Sequence, residues 1–526
     1  MGLCVSTTQA TTSRCQTTGR IGQGEICGGF RRQRYASLSC YPYCLVSNHA
    51  PWPLGNSPRI VSIHILDDDS LLHVFYLYRP FLLGEDGEVH VRLWGGNEGW
   101  DRGRWWYKLA HVCKKWRNVL LGSASYLDLC LVCTYGTPVA DMLRHSPHLP
   151  LVIDYSAGDM AAEDEEGTIL ALKQRDRVRR IRFQVPVTSL QRLIVAMDGE
   201  YPILEYLIIV LPVNDYSSVL IFLETLQAPH LRHLSLKGFA LPIGSRLLTS
   251  AVSLVTLSLI MVNPSVLSTY FHPNTLLQWI SLMPQLETLS IFFNYPIPDH
   301  DVQSQLTPIV APLTLPNLRH FQFRGDSTYL EALVYRITSP RLKKLVINFF
   351  EQHIFSIPHV INPTQNLPFD SAKFIFFDKK VGVAVYPRVV EKYNLSIIVY
   401  SQKLDRQLSS MTQISDSLIP MLSAVERLTF EHEEHSQLSE QHNEADRTEW
   451  RKLLRPFGNV KTLCIDNGLV KDVSRCLAPE DGEFPLELLP ELQEITYSGR
   501  GDVGDAFTSF IDARQNAGRP VTLVRR

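Results

Sequence analysis

Leu231-Arg232-His233-Leu234-Ser235-Leu236 carries the pattern that decides the fold: an apolar residue, two others, an apolar residue, one other, an apolar residue. The last three alternate as in a strand with one buried face, while the first closes the turn before it. Upstream the pattern occurs at Val178-Ile181-Phe183 and Leu204-Leu207-Ile209. Downstream it follows at Leu254-Leu257-Leu259, Leu286-Leu289-Ile291, Leu318-Phe321-Phe323 and Leu342-Leu345-Ile347. It resumes at Val425-Leu428-Phe430, Val460-Leu463-Ile465 and Leu492-Ile495-Tyr497. Successive starts up to Leu342 lie 26, 27, 23, 32, 32 and 24 residues apart, so one short unit recurs with connections of uneven length.

The segments between these strands read as helices. Val219, Leu220, Phe222, Leu223 and Leu226 precede Ala228-Pro229, and Leu276, Leu277, Trp279, Ile280 and Leu282 precede Met283-Pro284. Both sets are apolar at helical spacing and stop just before a proline, which disfavours helix at the residue preceding it. Each unit is therefore helix, proline turn, strand. No such unit can bury its own apolar face, so the units must stack, with strands parallel and helices outside. The pattern resembles a leucine-rich repeat, and the expected fold is α/β: an irregular solenoid, or horseshoe, with long outer loops over 178–526. Between 350 and 423 only Lys373–Phe377 and Asn394–Val399 look strand-like, and they read as two degenerate repeats. A helix over 505–517, with Phe507, Phe510 and Ile511 on one face, then a strand at Val521–Val524, would cap the stack.

A second organising stretch runs from Arg104 to Tyr135. Trp105, Leu109, Val112, Cys113, Trp116, Val119 and Leu120 recur at steps of three and four, which predicts one amphipathic helix of about four turns. Upstream, Asp67, Asp68 and Asp69 can cap a short helix bearing Leu71, Leu72, Val74 and Phe75. Together these segments resemble the F-box, a short helical module that docks the Skp-type adaptor of cullin ubiquitin ligases. The run Leu131–Val139, with Pro150–Tyr155, resembles the segment that follows the F-box in a large family of fungal F-box proteins.

The resemblance implies adaptor contacts from Leu66, Leu71, Leu72, Val74, Phe75, Leu109, Val112 and Trp116. Where that family opens with Leu-Pro, this chain has Leu66-Asp67, without the proline that pre-sets a first helical turn. Phe81 to Arg104, with six glycines, is an insertion between the helices and reads as a surface loop. The domain reading is a disordered segment at 1–58, a helical module at 60–130, a connecting segment with a first solenoid turn at 131–177, and the solenoid at 178–526. Two functions fit. One is the substrate-recognition subunit of a ligase, with the repeats binding a target protein; the other is a repeat scaffold that engages no ligase, with the helices as its N-terminal cap.

Composition narrows the classes. Lys and Arg number 51 against 53 Asp and Glu, a net charge of −2, so there is no broad phosphate-attracting field and no expectation of nucleic acid. The most apolar run, Tyr206–Val213, is far shorter than the roughly 20 residues a membrane helix needs. Among ten cysteines only Cys130 and Cys133 form a C-x-x-C, and their apolar setting reads as buried thiols rather than a metal or redox centre. A cytoplasmic or nuclear location follows. Residues 1–58 hold a single acidic residue, Glu25, and no apolar period. Met1-Gly2-Leu3-Cys4-Val5-Ser6 fits a myristoylation pattern, so a membrane becomes a partner only if Gly2 and Cys4 are both acylated.

No catalytic constellation emerges. His432-Glu433-Glu434-His435 spaces its histidines three apart rather than the four a helical zinc pair needs, and it reads as a polar loop. Glu163-Asp164-Glu165-Glu166 reads as an exposed loop. The expectation is a binding protein without cofactor or metal, not an enzyme. The intervening strand positions should gather on one surface, which makes Arg232, His233, Arg319, His320, Lys343 and Lys344 the candidate target-binding residues.

Overall fold

The computed structural model describes residues 66–79, 104–156, 160–211, 223, 225–238, 245–261, 273–296, 313–351, 369–387, 394–401, 403–432, 447–479, 487–498 and 504–525. The N-terminal segment 1–58, with Gly2 and Cys4, lies outside them, as does nearly all of the 81–104 insertion. Leu66–Arg526 forms one compact unit.

The strands are Leu131–Cys133 (β1), Leu151–Tyr155 (β2), Val178–Phe183 (β3), Tyr206–Val210 (β4), His233–Lys237 (β5), Thr256–Met261 (β6) and Thr288–Phe293 (β7). Leu313–Thr314 (β8), His320–Gly325 (β9), Ile337–Thr338 (β10) and Lys344–Phe349 (β11) come next. Ser371–Phe377 (β12), Lys380–Tyr386 (β13), Leu395–Tyr400 (β14), Arg427–His432 (β15), Thr462–Ile465 (β16), Glu494–Tyr497 (β17) and Thr522–Arg525 (β18) complete the set. Among the described residues, 16 strands join one sheet in the order β1-β2-β3-β4-β5-β6-β7-β9-β11-β14-β13-β12-β15-β16-β17-β18, while β8 and β10 pair separately.

Register follows the motif. Leu207, Leu234, Leu257, Leu289, Phe321 and Leu345 align across six strands, and Ile209, Leu236, Leu259, Ile291, Phe323 and Ile347 form the next row. All twelve side chains are buried. Burying one such side chain contributes roughly 2 kcal/mol, too little for a lone strand to offset the ordering of its own backbone, so each unit depends on its neighbours. Because consecutive strands advance in one direction across the sheet, right-handed crossovers carry the connecting helices to one face. The residues between the buried ones point to the other face and are mostly half-exposed, as in the alternation of β6 and β9, with Asp154, His233 and Ser290 buried among them. This is a mixed α/β fold dominated by a long parallel sheet, the arrangement of a repeat solenoid.

Four features depart from the sequence reading. Among its described residues the region 350–423 holds three strands, not two degenerate repeats: β12 and β13 pair antiparallel, β13 and β14 pair antiparallel, and their order along the sheet is reversed. Phe377 pairs with Lys380 around the two-residue link Asp378-Lys379, too short for the crossover a parallel neighbour requires. The segment 131–177 contributes two sheet strands, β1 and β2, rather than a single turn.

The acidic run Glu163–Glu166 is no exposed loop but the first turn of the helix Ala162–Leu172. There Asp164 Oδ1 accepts from the Gly136 N–H at 2.8 Å, and the buried Glu165 carboxylate pairs with Arg192 at 2.7 Å. Carboxylates suit the positive end of a helix, and these two also meet donors from neighbouring turns. The fourth departure is in the expected four-turn helix, which breaks into Trp105–Ala110 and Lys114–Gly122. Cys113 is extended at the break and its Sγ accepts from the Trp116 N–H, serving as an N-cap.

At the far end Phe507 and Phe510 are buried, and the helix Thr508–Asn516 carries the fully buried Arg514. Its guanidinium donates to the carbonyls of Leu489, Pro490 and Leu492, closing the last turn of chain before β18. No helix among the described residues is long and apolar enough to cross a membrane.

Candidate functional site

The residues expected to meet a partner fall on two surfaces, the N-terminal helices and the outward face of the sheet. Asp67 caps the helix Asp68–Tyr78 (α1) through a 2.6 Å bond from the Ser70 N–H, which holds its carboxyl below the usual range. Leu71 and Phe75 on α1 are buried, and Phe75 meets Trp116 edge-on at 5.1 Å. Trp116 belongs to Lys114–Gly122 (α3), beyond Trp105–Ala110 (α2). Trp106, not Trp105, is the buried tryptophan of α2, with its indole N–H on the Cys130 carbonyl at 3.2 Å.

Of the residues named for adaptor contact, Leu71 and Phe75 are buried in the hydrophobic core that continues into the sheet. Leu72, Leu109 and Trp116 are half-buried against it, while Leu66, Val74 and Val112 are exposed. Leu77 and Tyr78, which the sequence reading passed over, are exposed beside them. Helical phase could have found both, since they follow Val74 by three and four residues.

A chain of ion pairs ties α1 to the first repeats. Arg79, the C-cap of α1, reaches Asp128 at 3.1 Å; Asp128 also pairs with Arg179, whose Nε meets Glu205 at 3.0 Å. Asp128 adopts φ of 56°, a left-handed conformation that aspartate tolerates better than most residues.

On the sheet, Arg180, Tyr206, His233, Thr256, Thr288, His320 and Lys344 align in one row across seven strands. Arg182, Ile208, Ser235, Ser258, Ser290, Gln322 and Val346 form the next. The structure thus sets His233, His320 and Lys344 in one row, with only His320 and Lys344 on adjacent strands. Arg232, Arg319 and Lys343 lie one residue earlier, exposed, in the turns leading into the strands. There the motif produces a repeated backbone joint: the amides of Arg232 and His233 both donate to the Glu205 carbonyl, those of Arg319 and His320 to Glu287, and those of Lys343 and Lys344 to Arg319. Sequence alone could not place this one-residue offset, because two donors share one acceptor where simple alternation would assign each its own.

The row has its own electrostatics. The Arg180 guanidinium sits 4.5 Å from the Tyr206 ring centre, and Tyr206 stacks on His233 at 4.3 Å with planes 8° apart. Burial first, then Arg232 and Arg180, pushes His233 down to about 4, so its ring is neutral at pH 7. Beside Arg182, Asp154 is buried enough for its carboxyl to be pushed up to about 6. Arg324 lies 5.0 Å from the Tyr400 ring centre. Arg180, Arg182, Tyr206 and Arg324 were missed by the sequence reading although each occupies an intervening strand position. Cys130 and Cys133 are free thiols, pushed up by burial to about 11 and about 12.

No protein-family model matches the chain, and comparison with curated protein sequences finds no relative. Among solved structures, the crystal structure of the leucine-rich repeat-containing protein LegL7 from Legionella pneumophila aligns with 73% of this chain and 97% of its own. The identity is 11% and the TM-score 0.23.

Proposed function

We propose that this chain is a repeat-based protein-binding scaffold that delivers a target to a ubiquitin ligase, with α1–α3 docking a Skp-type adaptor and the half-exposed sheet face holding the target. The observation that carries this reading is the division of labour in the helices. Leu71 and Phe75 are spent on holding α1 to α3, which leaves Leu66, Val74, Leu77, Tyr78 and Val112 as exposed apolar side chains on a small helical unit. Val74, Leu77 and Tyr78 share one face of α1 by helical phase, and exposed apolar groups on one face favour a partner surface. The mechanism is positioning: holding a target beside a charged conjugating enzyme raises effective concentration without a bond-making residue, so the chain itself is not an enzyme and acts without cofactor or metal. Such a role belongs in the cytoplasm or nucleus.

The rival is a scaffold that engages no ligase, its helices serving as the N-terminal cap. The ion-pair chain from Arg79 through Asp128 and Arg179 to Glu205 favours it, since a cap should be fastened to the first repeats. Co-elution of the full chain with the Skp-type adaptor decides between the two. The ligase reading expects a stable complex that Val74→Asp with Val112→Asp abolishes, with the circular-dichroism melt unchanged because both sites are exposed. A folded wild-type chain that fails to bind the adaptor leaves the cap.

A further inference from the structure

The charge on the half-exposed sheet face is lopsided. From β2 to β11 its strand positions carry Arg180, Arg182, Lys237, Arg324 and Lys344 against the single carboxylate Asp154, in a chain whose net charge is −2. Four of these cations sit towards the two ends of the face, with Lys237 between them on β5. Arg180 and Arg182 stand on β3 and Arg324 and Lys344 on β9 and β11, and between them Ser235, Thr256, Ser258 and Thr288 present hydroxyls from β5, β6 and β7. At one end the Arg180 guanidinium lies over Tyr206, and at the other Arg324 lies against Tyr400, so rings orient a planar fork at each pole.

We infer that this face binds an extended acidic segment of a partner protein, with carboxylates at both ends and small polar residues between. The register row from Arg180 to Lys344 crosses six inter-strand steps. At about 4.8 Å per step this is about 29 Å, the length of roughly nine extended residues at about 3.3 Å each. The poles therefore select acidic groups separated by about that length of chain, and the hydroxyl floor offers hydrogen bonds to the backbone between them. A single-stranded nucleic acid fits less well. It carries a charge on every unit and would leave its central phosphates over neutral serine and threonine, with only Lys237 nearby. The inference rests on the sheet face being the target site of the proposed scaffold and adds the chemistry of the target.

Fluorescence anisotropy on the full chain tests it with three labelled probes. Two are peptides with a Glu-Glu pair at each end, joined by about seven or by two Gly/Ser residues; the third is a uridine 12-mer. The longer peptide should bind about ten-fold tighter than the shorter at about 50 mM salt and weaken about ten-fold or more at about 500 mM, as a screened ionic contact must. Arg324→Glu with Lys344→Glu should erase the preference for the longer peptide while the circular-dichroism melt is unchanged. Equal affinity for the two peptides, absence of binding, or tighter binding of the uridine 12-mer overturns the inference. Adaptor co-elution is read on α1–α3, so loss of peptide binding with adaptor capture intact removes this inference alone. Peptide binding without adaptor capture removes only the ligase.

Discussion

The parallel run from β1 to β11 and the reversed trio β12–β14 are built from equally apolar strands, yet they enter the same sheet by opposite routes. In the parallel run each strand is followed by a connection long enough to cross over, and the apolar residue that opens the motif seats the next strand beside the last. In the trio Asp378-Lys379 forces β13 back along β12, and β14 then lies against β11 while β12 reaches β15. In the trio, local turn chemistry outweighs repeat order. The faces differ as well. Lys373 on β12 meets Glu431 on β15 at 2.5 Å, while the outward strand positions of the parallel run carry five cations and one carboxylate, Asp154 beside Arg182.

The largest expected effect tests whether the two regions are energetically separate. Trp450 is fully buried between Phe376 of the trio and Phe430 of β15, with ring centres 5.7 and 5.4 Å away. Trp450→Ala should cost roughly 3–5 kcal/mol. Because stacked units depend mainly on their neighbours, hydrogen-exchange protection should fall in β12–β16 and persist in β4–β7. A uniform loss of protection would show one cooperative block and dissolve the comparison.

A smaller effect is expected inside the parallel run. Gly325 ends β9 where Phe293, Phe323 and Tyr329 crowd together, and a Cβ there would lie 2.8 Å from both phenylalanine rings. Gly325→Ala should therefore cost about 1–3 kcal/mol, read as a lower denaturant midpoint. An unchanged midpoint would mean that the aromatic cluster yields freely, against the picture of a rigid register.

The smallest effects concern titration on the charged face. The fold stabilises neutral His233, so its contribution is complete above about pH 6.5 and is lost as pH falls from there toward about 4. Asp154 runs the other way: its charged form is disfavoured by burial, and the cost disappears as pH falls through about 6. Asp154→Asn should thus stabilise by about 1 kcal/mol at pH 7, with the gain closing by about pH 4. His233→Gln should flatten the decline of stability between about pH 6.5 and 4. Parallel pH curves for each variant and the wild type would show that neither group is held as the geometry requires.

The stacking of units at Val178 to Leu342 and at Val425 to Leu492 was legible in the sequence, because a strand with one buried face must write its apolar residues at alternate positions. The capping carboxylate at Asp67 and the aromatic residues of the C-terminal cap were legible for the same local reason. The break at Cys113, the reversal of β12–β14 and the burial of Asp164 and Glu165 were not. Each depends on a partner far along the chain or on a turn whose geometry periodicity does not encode. The charged face belongs to both levels. Alternation assigns Arg180, Arg182, Arg324 and Lys344 to the positions between buried residues, but only the register of seven strands sets Arg180 and Lys344 at the two ends of one row, with Arg182 and Arg324 in the rows beside it. A sequence lists its charges one after another, and the distance between them exists only after the strands have paired.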